Sequence, residues 1–250
     1  MAISGTYTFN PDIGDIIEEA YERAGLDLRS GYDLRSARRS LNLMTLEWQN
    51  RGLNLWTVDE QPLSETSAGV SVTTLSKGVA TYNIDSSTIS LLDVILRTNA
   101  GNENAQTDYM LNRISQPTYS TIPNKLTQAR PLQYYFDRKE VLGAGAAGAN
   151  VKSTITLWPV PDKDSTYTIR YWRMKRIADT SNLASDTADV PDRFLPALCA
   201  GLAYHVACKH PESTPKVPML KQQYDEAFAT AADEDRVKVS ARFVPRIASY

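Results

Sequence analysis

An α+β fold is predicted: a four-helix bundle formed by N- and C-terminal helix pairs, with an inserted antiparallel β domain. Three observations lead there. Residues Asp189–His210 (DVPDRFLPALCAGLAYHVACKH) form a run whose one strongly polar side chain between Arg193 and Lys209 is His205. A helix apolar on every side must be wrapped by protein or lipid, and this run is too short and too closely flanked by charge to span a bilayer. The two best amphipathic segments lie at opposite ends of the chain to wrap it, and the residues between them change to strand-like alternation. The expected domains are residues 1–52 plus 189–239 for the bundle, 53–188 for the β insertion, and 240–250 for an extended C-terminal arm.

The first helix is expected to open at Asn10-Pro11-Asp12, with Asn10 as N-cap and Pro11 at the first helical position. Ile13, Ile16, Ile17, Ala20, Tyr21 and Ala24 recur at steps of three and four, one apolar stripe, and Gly25 ends it. Asp33 is expected to cap a second helix that carries Leu34, Ala37, Leu41, Met44 and Trp48 on one face and stops at Gly52. The first helix is acidic and the second basic (Arg35, Arg38, Arg39), which suits an antiparallel αα-hairpin. These charges read either as exposed pairs or as a subunit contact.

From Leu53 short β-rich runs alternate with turn residues: Leu53–Val58, Gly69–Thr74, Gly78–Ile84, Ser87–Arg97, Leu132–Asp137, Ser153–Trp158 and Thr166–Arg173. Residues Gln116–Arg130 read as an ordered loop with room for one helical turn. The aromatics Tyr134, Tyr135, Phe136, Trp158, Tyr171 and Trp172 read as core at strand period, with a minority at an interface. The buried helix starts near Pro191 or Pro196. His210–Pro218 is a turn, and a last helix follows with Val217, Leu220, Tyr224, Ala227, Phe228 and Ala231 on one side. Pro245 stops any helix in Ser240–Tyr250, whose Arg242 and Arg246 interleave with Phe243, Val244, Ile247 and Tyr250. That tail either frays or docks on another chain.

The chain has 250 residues and a formal charge of -2. Near-neutrality argues against gripping nucleic acid through a basic surface. Two cysteines do not make a disulfide scaffold, and Cys199 and Cys208 lie about 13 Å apart along one helix. The N-terminus lacks a basic and an apolar region, so no secretory signal and no membrane association are expected. Gly143-Ala-Gly145-Ala-Ala-Gly148 matches a dinucleotide fingerprint, but a strand follows where a helix is needed, so it reads as a connection. Asp162 and Asp164 lack the remaining calcium-loop positions. His205 and Cys208 stand at i, i+3 without further ligands. No G-x-S-x-G turn is present. Neither a metal, a cofactor nor a catalytic residue is therefore expected.

The order of elements resembles that of the head-to-tail adaptor proteins of short-tailed phages, also called tail tubular protein A. The likeness lies in Trp48-Gln-Asn-Arg-Gly52, in Arg113-Ile-Ser, Ile122-Pro-Asn-Lys, Arg130-Pro and Tyr134-Tyr-Phe, in Leu157-Trp-Pro-Val-Pro161 and Tyr171-Trp-Arg, and in Val190-Pro-Asp-Arg-Phe-Leu-Pro196 with the helix behind it. The β insertion is larger than is usual there. The resemblance implies a structural virion protein of the tail or neck, made in the host cytoplasm and not an enzyme. It would be a homo-oligomer, a twelve-subunit ring between the portal protein and the tail nozzle protein, through which DNA passes without specific binding. The portal-docking arm would use Arg242, Phe243, Arg246, Ile247 and Tyr250. Acids facing the channel would be Glu18, Glu19 and Glu22, or Asp233, Glu234 and Asp235. The competing readings are a tail-borne glycan hydrolase and a carbohydrate-binding β module.

Overall fold

The computed structural model describes residues 9–51, 55–63, 65–67, 70–72, 74–138, 153–180 and 186–236. Five α-helices are found among them: α1 (Ile13–Ala24), α2 (Gly31–Arg51), α3 (Gln116–Ser120), α4 (Leu195–Ala207) and α5 (Val217–Glu234). The strands are β1 (Val58–Pro62), β2 (Glu65–Ser67), β3 (Val70–Val72), β4 (Thr81–Asn83), β5 (Thr88–Thr98), β6 (Thr107–Met110), β7 (Asn112–Ile114), β8 (Gln133–Asp137), β9 (Thr154–Trp158) and β10 (Tyr167–Lys175). Two compact units divide the chain: Met1–Trp56 with Ile177–Tyr250, and Thr57–Arg176.

The first unit is organised by α4. Its residues Ala197, Leu198, Ala200, Gly201, Leu202, Ala203, Val206 and Ala207 are all buried. Small side chains on several sides let neighbours approach the backbone from several directions, so α1, α2 and α5 each pack on α4. The closest approach is at Gly201. A Cβ there would stand 2.4 Å from Met44 Sδ and 2.7 Å from Tyr224 Cε2. Tyr224 cannot easily give way, because its hydroxyl accepts a buried hydrogen bond from Trp48 Nε1 at 2.7 Å. Trp48, Phe194 and Phe228 close an aromatic cluster beside it, with ring centroids 5.4–5.8 Å from Trp48. Arg51 lies over the Tyr224 and Phe228 rings at 5.1 and 4.8 Å, a cation–π contact that also shields the cluster from water.

The expected four-helix bundle with an inserted antiparallel β domain is overturned. The chain is α+β with five α-helices and two four-stranded sheets among the described residues. No N-terminal hairpin pair forms, because α1 and α2 make few contacts with each other and meet mainly through α4. A helix of small residues accepts neighbours radially, and that removes the reason for α1 and α2 to bury their stripes on one another.

Helix starts also differ from expectation. The cap of α1 is Asp12, not Asn10. The Asp12 carboxylate accepts from the Asp15 N–H at 2.8 Å, and Asp15 returns the bond to the Asp12 N–H at 3.4 Å. Three residues beyond Asn10 stands Ile13, which cannot reciprocate. Likewise Ser30 caps α2, its hydroxyl accepting from the Asp33 N–H at 3.3 Å, while Asp33 accepts from the Ser30 N–H at 3.1 Å. Asp33 is thus the partner of the cap. Gly25 ends α1 at φ 73°, a left-handed conformation that glycine adopts without strain. Gly52 lies outside the described residues.

In the second unit one sheet has the order β1-β10-β5-β6 and the other β4-β9-β8-β7; β2 and β3 form a separate two-stranded ribbon. Every pairing is antiparallel except β7 with β8. The two sheets share one core, to which β5 and β10 give Leu91, Val94, Leu96, Ile169 and Tyr171, and β8 and β9 give Tyr134, Phe136, Ile155 and Leu157. The chain passes between the sheets at Leu111. Its N–H donates to Val94 O at 2.9 Å, and the next N–H, of Asn112, donates to Leu132 O at 3.0 Å. Residues 116–130, expected as an ordered loop with room for one helical turn, open with the short α3. Of the aromatics, Tyr134, Phe136 and Tyr171 are core, and Trp172 is exposed.

Among the described residues of this unit one charge is buried. Arg173, 6% exposed, donates to Asp59 at 2.8 Å, to Ser87 Oγ at 3.0 Å and to Thr88 Oγ1 at 2.9 Å, and lies 3.1 Å from Asp85. Burial alone would push the Asp59 and Asp85 carboxyls up. The hydrogen bonds from Arg173, Gln61 and Ser87 outweigh it and hold both below the usual carboxylate range.

Two outcomes are expected. Gly201→Ala lowers stability by about 1 kcal/mol, since overpacking of about 1–3 kcal/mol exceeds the helix propensity gained, about 1 kcal/mol; chemical denaturation measures it, and an unchanged midpoint would refute the close packing. Arg173→Met costs about 2 kcal/mol at neutral pH, less than a fully buried pair because both acids reach solvent. Carboxyls with depressed folded values stabilise above the unfolded value, about 4, and lose that contribution as pH falls through the folded value. The variant's penalty therefore shrinks on acidification, readable from unfolding midpoints along a pH series.

Candidate functional site

A groove of about 910 Å³ lies in the helical unit, between the start of α1 and the start of α4. Its apolar lining comes from Phe9, Pro11, Ile16, Leu195, Pro196 and Cys199, and its charged rim from Asp15, Glu19, Arg23 and Asp192. The stripe periods explain the lining. α1 turns Ile13, Ile17 and Ala20 fully into the core, which leaves Asp15 and Glu19 one step round the helix at the groove edge. Phe9 is 81% exposed, a large aromatic held at an opening. Glu19 binds Arg23 at 2.6 Å, so the rim remains acidic on balance. The Cys199 thiol is pushed up by burial, which keeps it protonated and unreactive.

A smaller groove of about 390 Å³ lies on the other side of Pro196, lined by Arg193, Ala227, Thr230, Ala231 and Glu234. The end of α5 closes it. Asp235 accepts from Arg193 Nη2 and, at 2.8 Å, from the Leu55 N–H.

The expected channel acids are therefore placed differently from one another. Glu18, Glu19 and Glu22 are exposed on α1. Asp233 is exposed and paired with Arg236 at 2.5 Å, and Glu234 is exposed. Asp235 is buried and serves the fold, which removes it from any solvent-facing set. The arm residues Arg242, Phe243, Arg246, Ile247 and Tyr250 lie outside the described residues, as does the Gly143–Gly148 run.

Among the described residues no group of three His, Cys, Asp or Glu side chains is placed to hold a metal ion. Burial holds the His205 imidazole below its ordinary value, against the pull of Glu47 and with the help of Lys209 and Arg51. Its Nε2 is 3.9 Å from Glu47 Oε2, beyond hydrogen-bond reach. Asp162 accepts from Tyr167 Oη at 2.8 Å, with the phenol pushed up to about 12 chiefly by burial, and Asp164 accepts from the Lys77 N–H at 2.6 Å. Both acids thus hold a turn. Among the described residues no helix is long and apolar enough to cross a membrane.

What sequence reasoning missed is a stripe on α2. Tyr32, Arg35, Arg39 and Leu43 are all exposed, Tyr32 to 66% and Leu43 to 61%. The signal was present in the steps of three and four between them, on the face opposite the buried one.

No curated protein matches the sequence. The profile of one family, described as SU10 adaptor protein, matches residues 11–246 and so takes in both units. It is a family of structural phage adaptors, whose members associate with other head and tail proteins of the virion. The chain belongs to the SU10 adaptor protein family.

Proposed function

We propose that this adaptor works as a ring of twelve copies in the neck of a short-tailed phage, between the portal protein and the tail nozzle protein, with DNA passing through it. The family match over residues 11–246 carries the reading. Three further features support it. A formal charge of -2 suits a conduit, because each neutralised phosphate adds affinity by counterion release and would slow a sliding duplex. Exposed Glu18 and Glu22 on α1, with Asp233 and Glu234 at the end of α5, are the acids available to face the bore. Residues 240–250 alternate arginine with apolar side chains and form the arm that docks on the portal.

The test is size with and without the portal protein. Ring-sized particles with portal are expected, and the chain remaining monomeric both alone and with portal would overturn the ring. Deleting residues 240–250 is expected to leave a folded chain that no longer captures portal in a pull-down. Undiminished capture would refute the arm.

A further inference from the structure

Two surfaces of the helical unit are opposite in charge, and both are exposed among the described residues. On α2 the stripe Tyr32–Arg35–Arg39–Leu43 presents two arginines bracketed by two exposed apolar side chains. Single exposed apolar residues need no explanation. A pair on one helical stripe flanking two cations is a different pattern, with the composition of an interface: apolar and arginine-rich. Among the described residues neither arginine has a carboxylate partner; Arg35 donates only to Gly31 O, at 3.2 Å. The groove at the start of α1 and α4 has the opposite character, with an apolar lining that includes Leu195 and Phe9 and a rim of Asp15, Glu19, Arg23 and Asp192 that is acidic on balance. Asp192 has no cationic partner among the described residues. The groove's volume, about 910 Å³, accommodates several side chains of a docked helix.

We propose that the exposed stripe of α2 of one copy seats in the α1–α4 groove of the next copy of this chain. Leu43 and Tyr32 fill the apolar floor, and Arg35 and Arg39 meet Asp192 and the acids of α1. Each copy carries both halves of the contact on different elements, so the contact is heterologous and runs head to tail. It rests on the ring reading above and assigns the surfaces that join its subunits. The contact is fixed by partner charge, so it weakens as salt screens the rim.

The experiment uses two double variants of the full chain, R35E/R39E and E19K/D192K, all at exposed positions. Self-association is followed by sedimentation at high concentration and low salt, alone and with the portal protein. Each variant by itself is expected to associate at least about tenfold more weakly than the natural sequence, because like charges then face each other across the contact. Mixing the two is expected to restore assembly. The acidic stripe of the first then meets the basic groove of the second, and the remaining natural surfaces also match. Restoration excludes misfolding as the cause of the losses. Variants that assemble like the natural sequence, or that fail alone and also when mixed, would overturn the contact while leaving the ring standing. A natural chain that stays monomeric alone and with portal would overturn both.

Discussion

Gly201 is where the helical unit is tightest, and the placement of the helices around it follows from that. A side chain as small as a methyl group would collide with Met44 on one side and Tyr224 on the other. The two contacts come from helices distant in sequence, one on each side of α4. They are joined over the top by the Trp48–Tyr224 hydrogen bond. The indole N–H is satisfied by the phenol oxygen in a buried site, so burying it costs little. The groove is a consequence of the same arrangement. α1 lies against α4 by a stripe of six buried residues, and its next face is left at the edge of the cavity with its acids outward.

The sheet unit solves a different problem. Two four-stranded sheets with one shared core have exposed edges, and edges invite pairing with other chains. Here β6 and β7 are nearly one strand that serves both sheets, bending at Leu111. The buried Arg173 ties the other end. Through Asp59 on β1 and through Ser87, Thr88 and Asp85 around the start of β5, it joins three segments with one side chain. A planar guanidinium with five donors can do this, where a lysine would leave hydroxyls unpaired.

Much of this was legible in the sequence, and what was not has a physical cause. The α1 stripe, Gly25 at its end, the buried rod and the late helix could all be read, because a period of 3.6 against one apolar face is a local signal. The strands from Thr88, Gln133, Thr154 and Tyr167 were visible from alternation. Thr107–Met110 was not, since an edge strand with exposed Thr107, Asp108 and Met110 has no apolar period to show. Pairing was also invisible. Each helix declares which face it buries, but not which helix receives it, so the bundle of two pairs was a reasonable and incorrect construction. The same limit applied to the surfaces. Attention to the acids missed the α2 stripe, and Asp235 stood in a run of three acids whose burial only the Arg193 and Leu55 contacts reveal.

The charge pattern ties these surfaces to the work of an adaptor. Net charge on one chain is small, yet it is segregated: α1 is acidic and the exposed stripe of α2 is basic. In an assembly of many copies, repulsion grows with the square of the charge each copy carries. A chain with a large charge of one sign would therefore resist its own assembly. Segregation without net charge gives attraction at the contact and little penalty at longer range. The opposite design, a uniformly basic surface, would bind DNA tightly and hinder its passage through the proposed ring. In the proposed ring, a nearly neutral chain with local patches of opposite charge escapes both difficulties.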